Sequence, residues 1–111
     1  MYGYQGLADL VMARLAAKVD ASQPMIVAAL RKIGCSVLLL HRVGRGCPDL
    51  LVWVPYSGRS SSRYLLMEIK EPDKGPNDEQ REFMSSWPGE IHIVHNIPEA
   101  LEAVLGKEML R

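Results

Sequence analysis

Two short stretches of this sequence combine charge with apolar, strand-forming surroundings. Gly46, Pro48 and Asp49 stand at the head of the run Asp49–Val54, and Glu68 and Lys70 stand at the end of the run Arg63–Lys70. In the second run Leu66, Glu68 and Lys70 fall on one face and Leu65, Met67 and Ile69 on the other, because side chains alternate along a strand. Paired as an antiparallel hairpin, the start of the first run lies beside the end of the second, which brings Asp49 next to Glu68 or Lys70 at one sheet edge. Two carboxylates and an ammonium then converge where unpaired charge is costly to bury. A hard divalent cation resolves that conflict. Oxygen donors from Asp49 and Glu68, a backbone carbonyl at Ile69, and places for water and a phosphate oxygen suit Mg²⁺ or Mn²⁺ and fit zinc poorly. Such a site would polarise a phosphoryl oxygen and acidify a bound water, with Lys70 positioning that nucleophile or offsetting developing charge, so the chemistry is phosphodiester hydrolysis. The plainer alternative is that Glu68 and Lys70 are solvated strand-end residues paired with Asp49.

Other residues surround this group. Arg45 precedes it in the loop VGRG, with His41 and Arg42 nearby, and an arginine there could grip a backbone phosphate. Arg59 and Arg63 flank a serine-rich turn that could reach along a duplex or could simply solubilise a loop, and Lys74 extends the surface after Lys70. Gly44 and Gly46 join two strands, not a strand to a helix, so their G-x-G spacing argues for no nucleotide pocket. His92 and His95 lie three apart on a strand and face opposite sides, which is wrong for chelating one ion. Cys35 and Cys47 have no histidine placed beside them by local sequence and read as packing residues.

The elements that must position these residues follow from periodicity and punctuation. Leu7, Leu10, Val11 and Leu15 give residues 5–18 the pattern of an amphipathic helix. A helix from about Ser22 to Ile33 is capped by Ser22, started by Pro24, striped with Ile26, Val27, Leu30 and Ile33, and ended by Gly34. Ser36 to Arg42 reads as a buried strand, Asp49 to Val54 as a second and Arg63 to Lys70 as its hairpin partner. EPDKGP breaks the sheet, Asn77 with Gln80 forms a cap for a helix through about Trp87, residues 91–95 make a short strand, and Pro98 opens a last helix.

With those elements in place, GCPDLLV (46–52), LLMEIK (65–70), Gln80 to Phe83 as Q-x-x-F, and the I-V-x-x-L-x-x-x-G pattern from Ile26 together resemble the PD-(D/E)xK nuclease superfamily. Within it the chain is most similar to virus-type replication-repair nuclease (VRR-NUC) domains, especially small stand-alone phage versions, from about Asp20 to Leu105. The resemblance implies an α/β fold with a restriction-endonuclease-like αβββαβ core, a mixed sheet flanked by helices, plus an extra N-terminal helix and a C-terminal helix. Residues 1–19 would be a helical extension and 20–111 the nuclease domain. It also implies Asp49 and Glu68 as metal-binding carboxylates, Lys70 as the catalytic lysine, and Gln80 as the glutamine that helps position metal or substrate. Members often carry a further acid on the first helix; here Asp20 or Gln23 would take that role, or the second metal position is weakened. The activity implied is Mg²⁺-dependent, structure-specific cleavage of branched DNA such as four-way (Holliday) junctions or flaps, with Mn²⁺ substituting and no small-molecule cofactor. One 12.4 kDa domain has room for one active site, so cutting both strands of a junction requires a homodimer. A DNA-binding module of the same fold with little catalysis is the alternative, and a small regulatory protein with a protein partner a more distant one.

Composition sets the frame around these readings. The chain has 111 residues, 48% hydrophobic and 23% charged, which fits one globular domain able to form a core without disulfides. Thirteen basic and thirteen acidic residues cancel, which argues against binding nucleic acid by bulk charge alone. The charge is nevertheless polarised: residues 31–74 carry a balance of +4 and residues 75–111 a balance of −4. Two cysteines twelve apart, with no signal peptide pattern, favour a reduced cytosolic or nuclear-type compartment, and the phage likeness implies the cytoplasm of a bacterial or phage-infected host cell. No run of eighteen apolar residues offers a membrane span.

Overall fold

A computed structural model describes residues 22–55 and 61–106 of the chain. The expected helix over 5–18, Asp20 and Arg59 therefore lie outside the described residues. Seven elements follow in order: α1 (Gln23–Lys32), β1 (Ser36–Leu39), β2 (Leu50–Val54), β3 (Arg63–Ile69), α2 (Asp78–Ser86), β4 (Ile91–Val94) and α3 (Ile97–Leu105). This is a mixed α/β architecture, with the four strands in one sheet in the order β1-β2-β3-β4. β1 and β2, and β2 and β3, run antiparallel; β3 and β4 run parallel.

One face of the sheet makes the core. Leu50, Val52 and Val54 of β2, Leu65 and Met67 of β3 and Val94 of β4 pack with Ile26, Val27 and Leu30 of α1 and Ala100, Leu101 and Val104 of α3. The helical stripes recur at spacings of three and four, so each helix lays a continuous apolar strip on that face. Register places Leu38, Leu51, Trp53, Tyr64, Leu66 and Glu68 on the opposite face, since directly paired residues point the same way. β3 is buried on both faces from Leu65 to Met67, and Glu68 continues that burial as a carboxylate.

Three local expectations are revised. β1 is an edge strand of four residues, not a buried strand to Arg42; Leu38 and Leu39 are exposed because, among the described residues, only β2 pairs with it. Ser22 occupies the N-cap of α1 but makes no side-chain capping bond. Asn96, not Pro98, begins α3: its side chain accepts the Glu99 N–H at 2.9 Å and Pro98 sits in the first turn. The cap at α2 is the full reciprocal box, in which Asn77 Oδ1 accepts the Gln80 N–H at 2.8 Å and Gln80 Oε1 accepts the Asn77 N–H at 2.9 Å. Among the described residues no helix is long and apolar enough to cross a membrane.

Candidate active site

The antiparallel register pairs Leu50 with Met67, so the next residues outward, Asp49 and Glu68, meet at the same end of the β2–β3 ladder. Asp49 lies just before β2 and turns its carboxylate onto the neighbouring strand, where Oδ2 accepts the Ile69 N–H at 2.8 Å. That bond fixes the side chain and closes the ladder beyond its last backbone pair. Pro48 behind it is fully buried, which anchors the approach of the loop. Gly46 has φ +79, and a Cβ there would run into the Glu79 carbonyl, so only glycine lets this loop press against α2.

Glu68 is the buried charged residue among those described, 6% exposed. Its Oε2 accepts from Gln80 Nε2 at 2.9 Å and lies 3.9 Å from Lys70 Nζ. Burial first, then the Asp49 charge, pushes the Glu68 carboxyl up to about 7 from 4.5, against the downward pull of Lys70, Gln80 and the Asp49 backbone N–H. Two carboxylates held this close leave one of them reluctant to ionise without a counter-charge. The same pair, after burial, raises the Cys47 thiol, which makes Cys47 a poor nucleophile and agrees with its reading as a packing residue.

Lys70 follows β3, its backbone N–H donating to the Val94 carbonyl at 3.0 Å and its side chain one-fifth exposed. It opens into a cleft of about 710 Å³ shared with Ser22, Gln23, Ile69, Glu71, Pro72 and His95. The residues expected to act together, Asp49, Glu68, Ile69, Lys70 and Gln80, are contiguous through the bonds just described, and Gln23 lines the cleft with Ile69 and Lys70 of that group. His95, which the sequence set aside as an ordinary side chain, belongs to this rim: Nδ1 lies 2.8 Å from Glu99 Oε1 and Nε2 3.0 Å from the Lys74 carbonyl. Spacing alone carried no sign of that clasp, because its partners are four and twenty-one residues away.

The arginines divide. Arg45 shares a second cleft with Glu79, Glu82, Phe83 and Ser86, and Arg42 is exposed in the loop after β1. Lys74 is exposed in the turn that follows Lys70. Arg63, expected to flank a turn that reaches along a duplex or solubilises a loop, is engaged within the fold. It starts β3 at the end opposite Glu68, bonds Glu90 Oε1 at 3.2 Å and donates to the Ala103 and Val104 carbonyls at 3.0 and 3.3 Å. Its guanidinium satisfies the open carbonyls at the C-terminus of α3, which is a structural use of the charge.

Comparison with known proteins gives no match: no family model, no curated protein and no solved structure matches this chain.

The donor set can be weighed for a cation on its own chemistry. Among the described residues no group of three or more His, Cys, Asp or Glu side chains gathers around a common point. What gathers is a pair of carboxylates, all-oxygen and mutually repelling, beside one ammonium. Asp49 uses a single oxygen on Ile69, leaving lone pairs for a further partner. A hard divalent ion with several water ligands fits such a pair, whereas a structural zinc site does not.

Proposed function

We propose that this chain is a divalent-metal-dependent DNA endonuclease with a VRR-NUC-type PD-(D/E)xK core, acting on branched DNA such as four-way junctions or flaps, as a homodimer. The observation that carries the reading is the Asp49–Glu68 pair: a buried glutamate at the end of an apolar strand, raised to about 7 by burial and Asp49, beside Lys70 and Gln80. Burying a charge that is costly to ionise at the end of β3 is hard to explain by stability, and strongly perturbed carboxylates cluster at working sites.

Asp49 and Glu68 would hold Mg²⁺ or Mn²⁺, with the Ile69 carbonyl adjacent. When bound, such an ion polarises a phosphate oxygen and lowers the pKa of a water ligand. Gln80 keeps Glu68 oriented through its amide, and Asp49 is oriented by the Ile69 N–H. Lys70, 3.9 Å from Glu68, stands where an ammonium can orient the attacking water and offset negative charge growing on the phosphate. Arg45 and Arg42, exposed on the loop leading to Asp49, and Lys74 after Lys70 would meet the flanking backbone.

The test is a Mg²⁺-dependent cleavage panel on single strands, duplex, flaps, splayed arms and four-way junctions. The native chain should cut branched members, EDTA should stop it, Mn²⁺ should restore it, and Lys70→Ala should abolish cutting while DNA binding survives. Full activity of Lys70→Ala, or activity in EDTA, removes the mechanism; a strictly monomeric species by sizing at micromolar concentration removes the dimer. The absence of a third acidic ligand among the described residues favours, as second reading, a DNA-binding module with the same core and little catalysis. Calorimetry separates the two, since that module would bind Mg²⁺ feebly and behave the same after Glu68→Gln.

A further inference from the structure

Among the described helices, α2 is the one with no buried side chain, so its apolar residues are not held there by the core. It nevertheless carries Phe83 and, at its C-cap, Trp87, whose rings stack with centroids 5.4 Å apart and planes 18° from parallel. Trp87 is 44% exposed. Gly89 lies against the indole edge, where a Cβ would come within 2.7 Å of Trp87 Nε1. One ring face is therefore covered by Phe83 and one edge by the turn after the helix, which leaves the opposite face open. A flat aromatic fixed in this way loses little freedom when a second ring stacks on it.

The platform is aligned with the candidate site. Gln80, Phe83 and Trp87 stand at i, i+3 and i+7, one side of the helix, and Gln80 touches Glu68 at 2.9 Å. Seven residues span about 10 Å along a helix axis, close to three base steps of about 3.4 Å. Arg45 borders the Phe83 cleft and makes no ion pair among the described residues, whereas Glu79 and Glu82 on the same cleft repel phosphate. Of the residues lining that cleft Arg45 is the one that attracts a phosphate, and the two carboxylates leave an uncharged base as the partner for the rings.

We infer that the Phe83–Trp87 pair receives an unpaired base of the DNA strand held at the Asp49–Glu68–Lys70 site, with Arg45 on the neighbouring phosphate. This rests on the nuclease reading and narrows its substrate to DNA with an unpaired nucleotide about three steps from the scissile phosphate.

The experiment reads binding alone, in EDTA. Trp53→Phe makes Trp87 the sole tryptophan and leaves the platform intact. Its fluorescence should be quenched by flapped or overhanging DNA and little by blunt duplex, because stacking brings a base into contact with the indole. Trp87→Ala should weaken binding to flapped DNA by roughly 5- to 150-fold, the range for one lost stacked base, and Trp87→Phe should restore most of it, with blunt-duplex binding unchanged throughout. Absence of quenching, equal weakening for both DNA forms, or conversion of a dimer to monomer by Trp87→Ala would each overturn the inference, the last by making the pair a subunit contact. Failure of the nuclease reading shows separately, as absence of Mg²⁺-dependent cleavage by the native chain on every DNA in the panel.

Discussion

Gln80 links the cap of one helix to the buried carboxylate of a strand twelve residues earlier: Nε2 donates to Glu68 at 2.9 Å while Oε1 accepts the Asn77 N–H at 2.9 Å. The amide has one acceptor and one donor group and both are committed, so its orientation is fixed from two sides. Helix start and site are thereby the same structural event. A substitution at Gln80 must be judged on both counts.

Gln80→Glu separates them. The new carboxylate can still accept the Asn77 N–H, so the capping box and its contribution of about 1 kcal/mol survive. The donor to Glu68 is lost and a third negative charge arrives. Chemical denaturation should show near-native stability below pH 5, while the pH midpoint of Mg²⁺ binding by calorimetry should rise. Gln80→Ala, by contrast, should lose stability at every pH.

Glu68→Gln should stabilise the metal-free protein at alkaline pH. The carboxyl titrates near 7 in the fold against 4.5 unfolded, so its protonated form favours folding. That stabilisation is complete below pH 4.5 and fades as pH rises through about 7, by up to about 3 kcal/mol if the whole shift is expressed. Gln cannot ionise and escapes the loss. Urea denaturation at pH 8 should therefore show the variant above the native chain, with Mg²⁺ stabilising only the native chain. A variant that is less stable at pH 8 and still responds to Mg²⁺ would contradict the site.

Arg63→Met should cost roughly 1–3 kcal/mol in urea denaturation, because it leaves the Ala103 and Val104 carbonyls and Glu90 without their partner. Cleavage per folded molecule should be unchanged. A selective loss of DNA affinity with native stability would instead return Arg63 to the DNA surface.

His95 should stabilise the fold most in acid. Its two ring nitrogens each face an acceptor, the Lys74 carbonyl and Glu99, so the doubly protonated ring is the form that satisfies both. The Lys74 carbonyl first and Glu99 next hold the imidazole above its ordinary value, which means the contribution is full below pH 6.5 and lost as pH rises through the higher folded value. The stability difference between the native chain and His95→Gln, measured at pH 5.5 and pH 9, should shrink at the higher pH. Taking that difference removes the Glu68 titration, which both proteins share.

Much of this molecule is written locally. The alternation in Arg63–Lys70 puts Glu68 and Lys70 on one face whatever else happens, since strand side chains repeat every two residues. Asn77 with Gln80 announces a helix start because the capping box needs only residues three apart, and the hairpin expected from the 49–54 and 63–70 runs brings Asp49 to Glu68 by antiparallel geometry. What tertiary structure decided is how those groups are surrounded. The folded surroundings of β3 bury Glu68 and, with Asp49 beside it, raise its carboxyl to about 7, while Gln80 reaches it from α2 and β4 pairs in parallel on the other side of β3. β1, apolar enough to read as interior, remains at the sheet edge because among the described residues no strand pairs beyond it, and Arg63 is drawn to carbonyls forty residues away. Periodicity and caps act over one helical turn or one strand pair, so they are legible in sequence; exposure, counter-charges and pKa depend on neighbours that only the folded chain brings within reach.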